Sequence, residues 1–158
     1  MAAATLLHRL LVVCAVAAAF QRLPDTLYRL PPLCAALSPA EARENIRTIY
    51  EAVIDVRMSA EHRLEGRIVD SICIPAQLWE HGMYLPRDAF VPDVLEQFET
   101  DCRLLCVCGD GRRSELAAQQ LEQEGFAVDY IDGGLNAWAE QSLELEIEDD
   151  GGLVGSYV

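Results

Sequence analysis

The residues best suited to chemistry are grouped in Cys108-Gly109-Asp110-Gly111-Arg112-Arg113-Ser114. The apolar run Leu104 to Val107 before them reads as a buried strand, and Ser114 to Glu124 carries Leu116, Ala117, Ala118 and Leu121 at helical spacing. A cysteine therefore lies at the carboxyl end of a strand, where open α/β sheets place their ligand crevice. Gly109 and Gly111 allow consecutive backbone N–H groups to turn inward as an anion nest. The helix start adds partial positive charge. Arg112 and Arg113 add full charges, partly offset by Asp110. Together these effects favour thiolate over thiol, and the same donors can hold an anionic substrate. The group suits a cysteine nucleophile that forms a covalent intermediate with an oxyanion-bearing donor. The plainer alternative is a buried thiol beside solvated arginines; the strand before and the helix after favour the first reading. Only His62 and His81 occur in the body of the chain, neither of them near Cys108, so a Cys-His dyad has thin support.

The elements that must position this loop follow from periodicity and punctuation. Ser38-Pro39 with Glu41 resembles a helix start, and that helix is expected to run to about Tyr50. Val53 to Val56 reads as a strand, Ser59 to Leu64 as one or two helical turns, and Arg67 to Ile74 as a second strand closed by Pro75. Gln77 to Pro86 reads as loop, and a helix near Pro92 runs to about Glu99. Arg103 to Val107 and Ala127 to Ile131 are the next strands, with Gly125 as a helix stop, Gly133-Gly134 as a turn and a helix from Leu135. Strands alternate with helices, which predicts an α/β fold of three layers: a central parallel sheet of about five strands flanked by helices.

The chain has 158 residues, enough for one domain with little left over. Its 51% hydrophobic content supports a packed core. There are 12 basic and 26 acidic residues, a net charge of −14, and every basic residue is arginine. Nucleic acid is therefore not an expected partner, and chemistry that needs a lysine is excluded. Of the cysteines Cys14, Cys34, Cys73, Cys102, Cys106 and Cys108, none forms a C-x-x-C pair, and no zinc spacing is present, so no metal or cofactor is expected. Cys73 and Cys106 read as buried thiols. Cys106 and Cys108 share a strand face, which leaves a redox role for Cys106, or for Cys102, open.

Residues 1–40 read as a targeting segment and linker. His8 and Arg9 precede an apolar run from Leu10 to Phe20 that ends in small residues, and prolines follow at 24, 31, 32 and 39. The run is too short for a stable membrane span. The expected destination is an organelle (plastid or mitochondrion) or the secretory route, with a cytoplasmic protein as the alternative. Residues 41–145 form the folded domain and 146–158 an acidic, glycine-rich tail.

The string Cys108 to Ser114, then Ala117-Ala118, Leu121, Gly125-Phe126 and Ile131-Asp132-Gly133-Gly134-Leu135-Asn136-Ala137-Trp138, resembles the second half of a rhodanese domain. Ile54-Asp55-Val56-Arg57 resembles the family's opening strand, and Gly66-Arg67-Ile68 through Ile74-Pro75 resembles its Gly-His-Ile…Ile-Pro segment. The ordered match runs from about Tyr50 to Ser142. Arg67 stands where the family usually has histidine, Val69-Asp70-Ser71 replaces a Pro-Gly-Ala turn, and the interval from Asp55 to Gly66 is one residue longer than usual. The resemblance implies a thiosulfate sulfurtransferase-like enzyme without a cofactor. Cys108 would take the outer sulfur of thiosulfate or a persulfide and pass it to cyanide or to a small-molecule or protein thiol. Gly109, Asp110, Gly111, Arg112, Arg113 and Ser114 would form the persulfide-binding loop, with Arg113 holding donor or leaving group. Asp55 and Arg57 would support the loop.

Two other functions stay open. The chain could be a non-catalytic binding or regulatory module of the same family, or a carrier of sulfur for protein thiols, with its negative charge favouring a basic partner. Phosphatases and arsenate reductases share the fold, but their loops hold one more residue between cysteine and arginine than the four of Gly109 to Arg112. The shorter loop is fitted to a sulfur atom rather than to a tetrahedral oxyanion.

Overall fold

The computed structural model describes residues 34–147. Residues 1–33, which include nearly all of the expected targeting segment, and residues 148–158 of the expected tail lie outside the described residues.

The described chain forms β1 (Ala36–Leu37), α1 (Pro39–Asn45), β2 (Ala52–Asp55), α2 (Ser59–Leu64), β3 (Ile72–Cys73), β4 (Gln77–Glu80), β5 (Met83–Pro86), α3 (Phe90–Gln97), β6 (Arg103–Val107), α4 (Arg112–Gln123), β7 (Ala127–Ile131) and α5 (Gly134–Glu140). Five strands make one parallel sheet in the order β1-β7-β6-β2-β3. β6 lies between β7 and β2, with Cys106 opposite both Ile54 and Tyr130.

Both faces of this sheet are covered, so its central strands are mostly apolar, with the buried Asp55 of β2 and Asp129 of β7 as charged exceptions. Side chains alternate across β6: Leu104 and Cys106, and then Cys108 just past the strand, pack on one face with Phe90, Val94, Ala117, Ala118 and Leu121. Leu105 and Val107 pack on the other with Ala42, Ile131, Leu135 and Trp138. The helices of α3 and α4 thus cover one face and those of α1 and α5 the other, giving the expected three layers.

Several local boundaries differ from those expected. Ala36–Leu37 supplies the edge strand from within the segment read as linker. It is anchored by Asp129, whose carboxylate accepts from Ala35 N–H at 2.9 Å, from the Tyr50 hydroxyl at 2.6 Å and from Arg103 at 2.8 Å. α1 has the expected start, with reciprocal Ser38 and Glu41 capping bonds, but ends at Asn45 rather than near Tyr50. The expected strand Arg67–Ile74 shrinks to Ile72–Cys73, because Asp70 adopts a φ of +64° and Ser71 N–H closes a turn onto Ile68 C=O. Arg67 instead bridges Glu146, the first residue of the expected tail. The region Gln77 to Pro86, read as loop, is an antiparallel hairpin. His81 and Gly82 turn it with φ of +53° and +81°, matching the twist of a tight hairpin. Trp79 and Tyr84 meet across it with ring centroids 4.7 Å apart.

Candidate active site

The carboxyl ends of β2, β6 and β7 converge on Cys108. The residue is fully buried, and its Sγ receives Gly111 N–H at 3.2 Å and Ser114 N–H at 3.4 Å. The Ser114 hydroxyl lies 3.4 Å from the same sulfur and 2.9 Å from Gly111 C=O, so its hydrogen can turn to either. Ser114 is itself fully buried in the first turn of α4. Asp110 Oδ1, 3.8 Å away, offers an acceptor to a thiol hydrogen. Donors converging on a sulfur stabilise negative charge there, as the anion-nest reading requires.

The loop keeps this shape because its carbonyls face away from the sulfur and are held from behind. Cys108 C=O accepts from Leu135 N–H at 2.8 Å, and Gly109 C=O accepts from Asn136 N–H at 2.9 Å. These donors belong to the first turn of α5, where a helix has N–H groups without intrahelical partners. The close approach explains Gly134: a Cβ there would stand 2.2 Å from Cys108 O and 2.7 Å from Gly109 O. Gly111 is equally constrained, with a φ of +91° and a Cβ position 2.9 Å from Gly133 N. Gly133-Gly134 is more than a turn; it is the surface against which the loop is moulded.

The two loop arginines are both engaged. Arg112 is exposed and donates from Nε to Asp110 at 2.7 Å. Arg113 donates from Nη1 and Nη2 to the two carboxylate oxygens of Glu61 at 2.9 and 2.7 Å, a bidentate pair with both side chains mostly buried. Its guanidinium also lies 5.2 Å from the centroid of Tyr84. Glu61 keeps Arg113 firmly protonated. Burial opposes ionisation of Glu61, but Arg113 and the Met58 N–H outweigh it and hold the carboxyl below its ordinary range. Asp110 is likewise lowered by its bond to Arg112. The positive charge read into the loop is therefore met by carboxylates on two sides.

Asp55 and Arg57 form a fully buried pair, with Arg57 Nη2 2.8 Å from Asp55 Oδ2. Asp55 lies beside Val107 in the sheet. Arg57 does not reach the Cys108 loop through any hydrogen bond it makes to Asp55, Glu65 or Gly66; it donates to Gly66 C=O at 2.7 Å and to Glu65 at 3.3 Å, tying down the end of α2. That helix carries Glu61, so this pair reaches the site by way of α2 and Arg113. Cys106 is buried in the core, and burial pushes its thiol up. Cys73 is half-buried, its thiol also raised by burial.

Above the loop opens a cleft of about 540 Å³, lined by Gly109, Asp110, Arg112 and Arg113 on one side and by Glu61, Glu65 and Tyr84 among others facing them. Glu61 and Tyr84 carry no signal in a motif. They reach the site only because α2 and the β4–β5 hairpin fold over it, and Glu61 is separated from Arg113 by 52 positions. The His81-Gly82 pair between two short apolar segments was the one trace of the hairpin in the sequence.

The rhodanese-like domain family matches residues 38–141. A putative sulfurtransferase of Bacillus subtilis is 28% identical over 103 residues, covering 65% of this chain and 87% of that protein. The thiosulfate sulfurtransferase GlpE of Vibrio cholerae is 42% identical over 53 residues, which span 33% of this chain and 50% of that protein. A rhodanese-related protein of Thermoplasma volcanium has a solved structure that superimposes with a TM-score of 0.55 at 27% identity, covering 72% of this chain and 99% of that one.

Proposed function

The chain belongs to the rhodanese-like domain family, and from that premise we propose that it is a sulfurtransferase working through a persulfide on Cys108. The observation that carries the reading is the convergence of Gly111 N–H, Ser114 N–H and the Ser114 hydroxyl on Cys108 Sγ. Such donors are matched to a sulfur that must hold negative charge in each half-reaction.

In the first half-reaction the Cys108 thiolate attacks the outer sulfur of thiosulfate or of a persulfide. A new S–S bond forms at Cys108, the donor's own sulfur–sulfur bond breaks, and sulfite or the donor thiolate leaves with the bonding pair. In the second, cyanide or an acceptor thiolate attacks the terminal sulfur, and Cys108 departs as thiolate. The attacking species is the thiolate, its proton having passed to water; Asp110 Oδ1, 3.8 Å from the sulfur, is a side-chain acceptor that the thiol hydrogen faces before it leaves. No external oxidant is needed, because the sulfane sulfur changes partner without net electron transfer.

Sulfur transfer to cyanide tests the proposal. Thiocyanate production is expected from the protein supplied with a sulfane-sulfur donor, and its loss is expected in Cys108→Ser. Equal turnover in that variant would place the nucleophile elsewhere; no turnover with any donor would favour a binding module. We further propose that residues 1–40 direct this activity to an organelle or the secretory route, and a fluorescent reporter fused behind them should leave the cytosol.

A further inference from the structure

We propose that Glu61 sets the donor class of this site, so that the cleft takes sulfur from a persulfide on an uncharged, apolar-bodied carrier in preference to dianionic thiosulfate. The inference rests on the persulfide reading of Cys108 and concerns which donor feeds it. A dianion entering the cleft is held best by the two-donor edge of a guanidinium. Arg113 is the arginine built into the wall, and both of its terminal nitrogens already face the two oxygens of Glu61 at 2.7 and 2.9 Å. Pairs of this fork-to-fork kind are the strongest that arginine makes, and a carboxylate so placed occupies the geometry an oxyanion would use.

The other cation of the lining, Arg112, is bound by Asp110 at 2.7 Å and points to solvent. Glu65 adds a third carboxylate to the lining and is largely exposed. The cleft thus presents Glu61, Glu65 and Asp110 against Arg112 and Arg113, in a chain whose net charge is −14. Its field disfavours a small dianion. An apolar body is accommodated, since Tyr84 and Leu116 line the same cleft and both expose much of their surface.

The test compares Cys108 loading by thiosulfate with loading by 2-mercaptoethanol persulfide, read as the rate at which the Cys108 peptide gains one sulfur. Loading of Cys108→Ser at its other cysteines serves as background. In the wild-type protein the thiosulfate rate is expected to rise about threefold or more between about 0.01 M and about 1 M salt, as screening removes the repulsion, with the persulfide rate nearly flat. Glu61→Gln keeps the oxygen that accepts from Met58 N–H and Arg113 Nη1, releases Arg113 Nη2 and removes the carboxylate charge. It should raise the ratio of thiosulfate to persulfide kcat/KM about tenfold, chiefly through the thiosulfate KM. A thiosulfate rate that falls with salt, or a thiosulfate-to-persulfide ratio that is unchanged in a folded Glu61→Gln, overturns the assignment of Glu61 while leaving the Cys108 reading intact. Failure of both donors to load Cys108 overturns both.

Discussion

Replacement of Gly134 by alanine should damage a loop that it does not belong to. The added Cβ would lie 2.2 Å from Cys108 O and 2.7 Å from Gly109 O, distances that no real side chain keeps. The residue also has a φ of +57°, which costs a side-chain-bearing residue about 1 kcal/mol. Relief requires the Cys108–Gly109 peptide and the start of α5 to separate by about 1 Å, which weakens the bonds from Leu135 N–H and Asn136 N–H to those carbonyls. Two buried hydrogen bonds at about 1 kcal/mol each, added to the backbone term, give a loss of about 3 kcal/mol. Urea unfolding followed by circular dichroism should show that loss, and sulfur transfer should fall about a hundredfold, since about 1 Å of misplacement suffices for that. Gly109→Ala is the control. Its Cβ would meet only Arg113 Nη2, at 3.6 Å, so stability should change by less than about 1 kcal/mol. A Gly134→Ala protein as stable and active as the wild type would refute the claim that α5 moulds the loop.

Arg57→Met should cost about 3–5 kcal/mol by leaving the Asp55 carboxylate buried without its partner, read as a lower urea midpoint. Cys106→Ala should leave sulfur loading of Cys108 intact, because Cys106 is sealed in the core; loss of loading at unchanged stability would give Cys106 a chemical role. The Asp129 carboxyl is opposed by burial but held below its ordinary range by Tyr50, Arg103 and Ala35 N–H. Its folded value is depressed, so its contribution is full above the unfolded pKa of about 3.9 and is lost as pH falls through the lower folded value. Acid titration of stability should show this loss, and Asp129→Asn should flatten it.

Cys108 and its loop were legible because strand, glycines, arginines and helix are contiguous, so a local pattern fixes a local geometry. β6 could be read for the same reason: a strand buried on both faces shows as unbroken apolar sequence. Ala36–Leu37 could not, since two residues carry no period, and its place depends on a bond to Asp129 far along the chain. The extent of β3 is not legible, because Ile68 and Ile72 to Ile74 suggest a continuous strand whereas the turn at Asp70 lies between them. Arg113 stands out in the sequence as a site residue, but its partner Glu61, 52 positions away, does not. Pairing with Glu61 is a consequence of α2 folding across the carboxyl end of the sheet, and it sets a carboxylate against the two-donor edge of the arginine.

Peptide mapping of the intact protein after brief exposure to 2-mercaptoethanol persulfide tests most directly that Cys108 is the sulfur carrier. One added sulfur atom placed on Cys108 by fragment ions that separate it from Cys106, and removed by dithiothreitol and by cyanide, is the predicted result. A native protein that carries the added sulfur on Cys73 or Cys34, with the Cys108 peptide unmodified, would contradict it.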